Sequence, residues 1–221
     1  MKKIIMSVFC VVLSVFIMSG CSNSSEPFSQ EEYTADAAQI KEIHIDVRDR
    51  QIDVSPSDDN QIHIDYFVNN KEYYDISVSA ENVLTMTTAS DKEWTDFIGS
   101  KPSAENRKIS LQIPDALLGT LVLSTTNEDI VLSELNIEEK ISLSANGGNI
   151  TFEKLDVGNE IVLTVKNGNI SGTIAGGYDD FAIISEIKKG ESNLPGNKDN
   201  GEKTLNVSCN NGDVDIQFAS K

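Results

Sequence analysis

The residues of this sequence best suited to nucleophilic or metal chemistry are three cysteines and two histidines. His44 and His63 lie at outward positions between isoleucines, beside Asp46 and Asp65 respectively. Stacked strands would bring such a pair together as a surface zinc site, although solvated polar side chains are the simpler interpretation. Neither histidine accompanies a serine motif, and the carboxylates are scattered over outward positions. The sequence therefore predicts no catalytic residue, no bound metal and no cofactor.

Cys21 is the cysteine with the most informative context. Lys2 and Lys3 precede an apolar run over residues 4–18, and Met18-Ser19-Gly20 places small residues directly before Cys21. This arrangement resembles a bacterial lipoprotein signal peptide with a lipobox-type end. The resemblance implies transfer of diacylglycerol to the Cys21 thiol and cleavage after Gly20. We expect a mature protein held on the extracytoplasmic face of the cell membrane by acyl chains.

The remaining cysteines do not form a disulfide framework. Cys10 leaves with the leader and Cys21 receives lipid, so Cys209 alone stays in the folded part. Cys209 shares the inward phase of Leu205 and Val207, which predicts a small buried thiol. The chain then divides into a signal peptide at residues 1–20, an acylated N-terminus with a flexible acidic tether at residues 21–39, and one folded domain at residues 40–221.

The composition narrows the classes of partner. The chain has a net charge of −17, from 18 basic and 35 acidic residues. Loss of Lys2 and Lys3 with the leader leaves 16 basic residues against 35 acidic ones, a net charge of −19. Nucleic acid and anionic lipid are disfavoured by this charge, so attachment to the membrane depends on the acyl chains. An extracellular glycan or a protein remains as the ligand class.

A spacing of 20 residues sets the predicted fold. Aliphatic and aromatic residues recur in two phases: Leu121, Ile141, Ile161 and Phe181 in one, and Leu123, Leu143, Leu163 and Ile183 in the other. Polar residues alternate with them, as expected for strands with one buried face. No long amphipathic helical pattern is available to cover an open sheet. The sequence predicts an all-β, single-stranded, right-handed β-solenoid with coils of about 20 residues, in which each strand pairs with its equivalent in the next coil.

A polar corner separates the two strands of each coil. The conspicuous corner residues are Gly148, Asn149, Gly168, Asn169, Gly212 and Asp213, and Asp49-Arg50-Gln51 forms a degenerate corner in the first coil. Glycine and asparagine predict positive backbone dihedrals at these positions. A calcium site is a weaker interpretation, because one corner recurs per coil and most corner residues are neutral. We expect a structural ladder of stacked asparagines.

Two segments, residues 91–108 and 190–203, interrupt the repeat and are predicted to be loops on the solenoid wall. The first contains Trp94, the only tryptophan, together with Phe97. These rings suit a contact loop that stacks on a sugar or docks to a partner. The alternative is that the loop folds back to cover the wall, or an end whose strand edge must be blocked.

Several of these motifs resemble the bacterial "putative adhesin" domain of unknown function. They are Ile109-Ser110-Leu111-Gln112-Ile113-Pro114, the Asn-Gly-Asn-Ile corners and the final Asn211-Gly212-Asp213-Val214-Asp215-Ile216. The resemblance covers most of residues 40–218 and is best from residue 109 onward. It implies a β-solenoid and an envelope location, and it carries no catalytic motif.

These features together predict a non-catalytic, lipid-anchored cell-surface protein that acts as an adhesin or an envelope interaction module. Two alternatives stay open. One is a carbohydrate-active β-helix enzyme, since such enzymes exist and acidic residues are plentiful. The other is an accessory or sensor protein in envelope stress signalling.

Overall fold

The computed structural model describes residues 27–91, 101–115 and 118–219, and this part of the chain is all-β with two nine-stranded sheets. Sheet A contains, in spatial order, β1 (Ser29–Asp36), β4 (Gln61–Val68), β7 (Lys108–Ile113), β3 (Gln51–Pro56), β9 (Ile130–Leu132), β12 (Ile150–Val157), β14 (Ile170–Ala175) and β18 (Val214–Ala219), with β10 (Leu135–Ile137) beside β12. Sheet B contains β16 (Asn197–Lys198), β15 (Phe181–Ile187), β17 (Lys203–Asn211), β13 (Glu160–Asn167), β11 (Lys140–Ala145), β8 (Thr120–Thr125), β2 (Glu42–Asp46), β6 (Val83–Ser90) and β5 (Glu72–Val78). Short 3-10 turns occupy Ala37–Gln39, Glu105–Arg107 and Tyr178–Asp180.

One aliphatic core lies under both sheets. In β11, Ile141 and Leu143 are completely buried while Ser142 between them is half-exposed. The same alternation runs through the neighbouring strands, and inward residues of sheets A and B belong to a single hydrophobic cluster. Strands form here because β-branched and aliphatic side chains pack well on one face of a pleated surface.

The central strands pair in parallel at the predicted spacing. In sheet B, Ile141 of β11 lies between Leu121 of β8 and Ile161 of β13. In sheet A, Ile150 of β12 lies between Ile130 of β9 and Ile170 of β14. Strands β8, β11, β13 and β17 of sheet B continue through polar corners into β9, β12, β14 and β18 of sheet A, which gives a stack of strand–corner–strand units.

The N-terminal region departs from a single parallel winding. Strand β4 pairs antiparallel with β1 and β7, and β5 pairs antiparallel with β6. The unit β2–β3 lies between β6–β7 and β8–β9, so the spatial order differs from the chain order. The prediction that each strand pairs with its equivalent in the next coil is therefore wrong here, because a 20-residue spacing is absent between residues 53 and 108 and neighbouring strands pair across turns instead.

The C-terminal register was also mispredicted. Leu205 of β17 occupies the place next to Ile161, and Ile183 of β15 pairs with the far side of Leu205. Phe181 pairs with Lys203 rather than with Ile161. After β14 the chain passes through Gly176, whose φ is 122°, and a 3-10 turn. The next strand, β15, therefore lies one strand position farther from β13 than the repeat predicts. The last unit, β17–β18, returns to fill the open position.

The predicted loop after β15 protects a strand edge. The side-chain amide of Asn193 donates to the carbonyl of Ile216 at 2.8 Å, and its Oδ1 accepts from the N–H of Ile216 at 3.0 Å. These two bonds reproduce the contacts of a neighbouring strand. They block part of the outer edge of β18, where another chain would otherwise add.

Candidate functional site

The polar corners between sheet B and sheet A stack into two columns. The first column holds Gly148, Gly168 and Gly212, which have so little space that a Cβ atom added to any of them would lie about 2 Å from a carbonyl oxygen of the next unit. Gly168 and Gly212 have φ of 151° and 145°. Gly148 does not have a positive φ, so close approach to Glu128 rather than its dihedral requires glycine there.

The second column is a hydrogen-bonded ladder. The backbone N–H of Asn149 donates to Asp129 Oδ1 at 2.7 Å, that of Asn169 donates to Asn149 Oδ1 at 2.9 Å, and that of Asp213 donates to Asn169 Oδ1 at 2.9 Å. Neither Asn149 nor Asn169 has a positive φ, contrary to the prediction. These residues form a structural ladder, because each side-chain oxygen accepts a hydrogen bond from the backbone of the next unit.

The outer side of sheet B presents a surface that we call the hydroxyl face. It is formed by eight outward residues on β8, β11, β13 and β17: Ser124, Ser144, Thr164 and Ser208 in one row, and Val122, Ser142, Val162 and Asn206 in the next. None of the eight carries a charge, although the chain has a net charge of −17. Thr164 is exposed and the other seven are partly exposed.

The border of the hydroxyl face is mostly polar, with the exposed side chain of Ile184 on β15 beside Asn206. Its first row runs between Asp46 on β2 and Glu186 on β15. Below the second row, Lys140 forms an ion pair with Glu160 at 2.8 Å, so these two charges largely cancel. Asn206 donates to Glu160 at 3.3 Å. The face is therefore neutral at its centre and has carboxylate acceptors at both ends of one row.

A groove of about 400 Å³ lies beside the short strand β10 in sheet A. Its walls include the carboxylates of Asp115, Glu134 and Asp156 and the apolar side chains of Pro56 and Leu135. Two of the carboxylates lie near lysines: Lys154 contacts Glu134 at 2.9 Å, and Lys203 lies 3.8 Å from Asp156. A groove with several carboxylates is the feature that a carbohydrate-active enzyme would need.

A buried ion pair closes the N-terminal end of the core, and the sequence did not reveal it. Arg50 is 3% exposed, and it donates to Glu72 Oε2 at 2.6 Å and to the hydroxyl of Tyr74 at 2.7 Å. Burial lowers the pKa of Arg50, but Tyr74 and Glu72 outweigh burial and raise it. The Tyr74 ring packs edge-on against Tyr66 at 5.3 Å. Arg50 occupies the corner position that Gly148, Gly168 and Gly212 occupy in later units, and this difference was the available signal.

The structure separates the two histidines. His44 lies on β2 in sheet B and His63 on β4 in sheet A, so the suggested stacked pair is wrong. His63 contacts Glu32 at 3.1 Å and Asp59 at 3.1 Å. Burial lowers the pKa of His63, but the hydrogen bonds with Glu32 and Asp59 outweigh it and raise the pKa above 6.5. The two residues separate because the chain after β3 enters an antiparallel pairing.

Cys209 is fully buried, as predicted, and its thiol lies 3.3 Å from the carbonyl oxygen of Gly212. Burial raises the pKa of this thiol, and Asp213 adds to the increase. Both effects disfavour the reactive thiolate. Cys209 therefore acts as a small core residue.

Three predicted sites lie outside the described residues: Cys21, Trp94 and Phe97. Over residues 27–91, 101–115 and 118–219, no three His, Cys, Asp or Glu side chains lie close enough together to hold a metal ion. Within the same ranges, no helix has the length and apolar character needed to cross a membrane.

Comparisons with known proteins identify the fold. The model of the Toastrack DUF4097 family matches residues 40–177. A structure titled as a putative cell adhesion protein from Clostridium sporogenes is similar, with a TM-score of 0.56, 9% identity, and 87% of this chain and 100% of that chain covered. A structure titled as a putative adhesin from Parabacteroides merdae has a TM-score of 0.38 and 15% identity, and the alignment covers 86% of this chain and 80% of that one. No curated protein matches the chain.

Proposed function

From the premise that this chain belongs to the Toastrack DUF4097 family, we propose that it is a non-catalytic, lipid-anchored contact protein displayed on the extracytoplasmic face of the cell membrane. The corner ladder is the observation that carries this proposal. It links successive units by side-chain hydrogen bonds and thereby stiffens the stack whose outer faces are available to a partner. A rigid surface loses little conformational entropy when a partner binds, so it suits adhesion better than a flexible one.

The winding and the anchor belong to the same proposal. Units of about 20 residues stack in a right-handed β-solenoid. The predicted flexible tether at residues 21–39 is wrong over its second half, because residues 29–39 form β1 and a 3-10 turn. Residues 21–28 are then the tether to acyl chains on Cys21. The resemblance of the leader to lipoprotein signal peptides supports the anchor. Two or three acyl chains at one cysteine supply the attachment that a single chain does not.

The anchor is tested by labelling cells with a clickable fatty acid. Cys21→Ala should abolish acyl labelling and either leave the precursor uncleaved or release the protein into the medium. Cys10→Ala is the matched control, because Cys10 lies in the leader and should not be needed for lipid transfer. Persistent acyl labelling of Cys21→Ala would show that the anchor has been assigned to the wrong residue.

Display on the outer side is tested separately by adding protease to intact cells. The protein should be degraded while a cytoplasmic marker survives. Cells that display the protein should then adhere to glycan- or matrix-coated surfaces more strongly than cells that lack it. Normal acylation without any gain in adhesion would leave a lipoprotein but remove the contact role.

A carbohydrate-active enzyme is the second candidate, and the groove beside β10 is the observation that favours it. An enzyme of this type needs an acid and a base or nucleophile on opposite sides of a glycosidic bond. Purified protein would then release new reducing ends from a polysaccharide, and Asp156→Asn or Asp115→Asn would abolish the release. We expect no release, because Glu134 and Asp156 lie near Lys154 and Lys203.

A further inference from the structure

We propose that the hydroxyl face binds a neutral, hydroxyl-rich polysaccharide that lies across strands β8, β11, β13 and β17. This inference rests on the proposed contact function and names its ligand class. The surface supplies hydroxyl groups in register, each of which can donate and accept hydrogen bonds. Ser124 pairs with Ser144, Ser144 with Thr164, and Thr164 with Ser208, so one hydroxyl row continues through four strands.

The charges favour a neutral ligand. A polyanion would be repelled by a chain of net charge −17, and a cationic partner would find carboxylates only at the two ends of the first row, Asp46 and Glu186. A second copy of the protein carries the same net charge, so long-range repulsion opposes pairing of two hydroxyl faces. The only aliphatic residues on the face, Val122 and Val162, are too few and too buried to form an apolar docking patch.

The side chains are also free to act. Among the described residues, the hydroxyl groups of Ser124, Ser142, Ser144, Thr164 and Ser208 make no hydrogen bond to another side chain. Each can donate one hydrogen bond and accept two, as can each hydroxyl of a sugar. Asp46 and Glu186 terminate the first row with strong acceptors.

The geometry matches a polymer better than a single sugar. Neighbouring strands are about 4.8 Å apart, so the row spans about 14 Å from β8 to β17. The face is one side of an open sheet, so affinity must come from many weak contacts repeated along a chain. A polymer whose repeating units present hydroxyls along one side can make such contacts at every strand.

The test uses the full-length chain purified in a neutral detergent and mixed with insoluble cellulose, insoluble chitin or soluble dextran. We expect the protein to bind at least one of these polymers. The dissociation constant should stay within about twofold between 50 and 500 mM NaCl, because screening affects only charged partners. Alginate, a polyanion, should not be bound.

Two variants locate the surface. Ser144→Arg places a long cation at the centre of the hydroxyl face and should weaken binding at least tenfold. Ser171→Arg makes the same change on β14 in sheet A, where Ser171 also points outward and is half-exposed, and should bind like the wild type. Ser144→Thr retains the hydroxyl and should retain binding. Equal melting temperatures for the three variants would show that all are folded.

Several results would overturn the inference. They are failure to bind all three neutral polymers, equal binding by Ser144→Arg and wild type, or loss of binding at high salt. Sedimentation velocity tests the remaining alternative, which is self-association. If the protein bound no polysaccharide and formed a dimer that Ser144→Arg disrupted, the face would be a dimer interface. Acyl labelling at Cys21 does not depend on any of these outcomes, so failure of the ligand and failure of the anchor are distinguishable.

Discussion

Replacement of Gly168 by alanine should destabilise the protein strongly, although it adds a single methyl group. The new Cβ would lie 2.2 Å from the carbonyl oxygen of Gly148 in the neighbouring unit. To relieve the clash, the two units would have to separate by about 1 Å at the corner. The backbone at residue 168 has a φ of 151°, which alanine tolerates poorly, so it would be strained if it kept this φ and would distort the corner if it changed it.

The magnitude follows from these contacts. Overpacking of a rigid site costs about 1 to 3 kcal/mol, and a residue held at an unfavourable dihedral costs about as much. Separation would also stretch two bonds next to the clash, from Ile150 N–H to Asn169 O and from Asn169 N–H to Asn149 Oδ1, both 2.9 Å long. We expect a loss of about 3 to 5 kcal/mol, a large fraction of the stability of an ordinary domain.

Urea unfolding followed by far-ultraviolet circular dichroism measures this loss. Gly196→Ala is the matched control, because the nearest atom to its added Cβ is the carbonyl oxygen of Ser185 at 3.9 Å. The control should stay within about 0.5 kcal/mol of the wild type. If Gly168→Ala unfolded at the same urea concentration as the control, the close approach between units would be wrong.

A second variant separates the two causes. Gly148 lacks a positive φ, yet its added Cβ would lie 2.0 Å from the carbonyl oxygen of Glu128. If close approach dominates, Gly148→Ala should be about as unstable as Gly168→Ala. A clearly smaller effect in Gly148→Ala would assign most of the cost at Gly168 to its backbone dihedral.

Three further predictions concern the ladder, the buried ion pair and the histidine at the edge of sheet A. Asn169→Ala should lower the free energy of unfolding in urea by about 1 to 2 kcal/mol, because the N–H of Asp213 loses its acceptor. The control is Asn146→Ala, at an exposed corner position whose side chain makes no such bond, and it should lower the same free energy by less than about 0.5 kcal/mol. Glu72→Gln removes the charge facing a buried guanidinium and should cost about 3 kcal/mol by the same method, a prediction contradicted by a loss below 1. The folded-state pKa of His63 is raised, so its contribution is fully present below pH 6.5 and is lost as pH rises through the folded pKa. The stability difference between wild type and His63→Gln should therefore be largest near about pH 5.5 and shrink by about pH 8.5, and a difference that grew with pH would refute the assigned contacts.

The sequence was most informative where the repeat is regular. Side-chain alternation around Ser142 and the spacing of Ile141 from Ile161 gave the inward face and the parallel neighbours of the central strands. The asparagine ladder was also predictable, because a polar residue recurs at the same place in successive corners. Its mechanism was not, since Asn149 and Asn169 act through side-chain acceptors and not through their dihedrals.

The strand order at both ends of the stack could not be predicted from the repeat. Periodicity assigns a residue to a face, but it does not say which strand lies beside it. Phe181 has the correct inward phase and is buried, yet its strand lies one position farther out because β17 intervenes. Phe181 also contacts the ring of Phe218, 5.6 Å away, and this contact joins residues that no local pattern relates.

The residues of the hydroxyl face have no sequence motif that distinguishes them from other outward residues. Ser124, Ser144 and Thr164 are ordinary outward residues of strands with one buried side. Their shared neutrality becomes apparent only when four strands are placed side by side and the charged residues are seen to lie at the borders. Arg50 was missed for a related reason, since its partner Glu72 is brought near by an antiparallel pairing that the repeat does not contain.

The insertion of the first and last units into the stack determines when the chain can finish folding. The strand of Ile43 pairs with the strand of Leu121, which lies 78 residues later in the chain. The strand of Ile161 pairs with the strand of Leu205, which lies 44 residues later. Pairings of such long range are slow to form, because loop closure precedes the contacts that reward it. The chain therefore does not fold by adding units one after another from one end of the stack. A nascent segment that lacks residues 203–219 has β15 without its parallel partner and the outer edges of β13 and β14 exposed, so the structure becomes complete only when nearly the whole sequence is present.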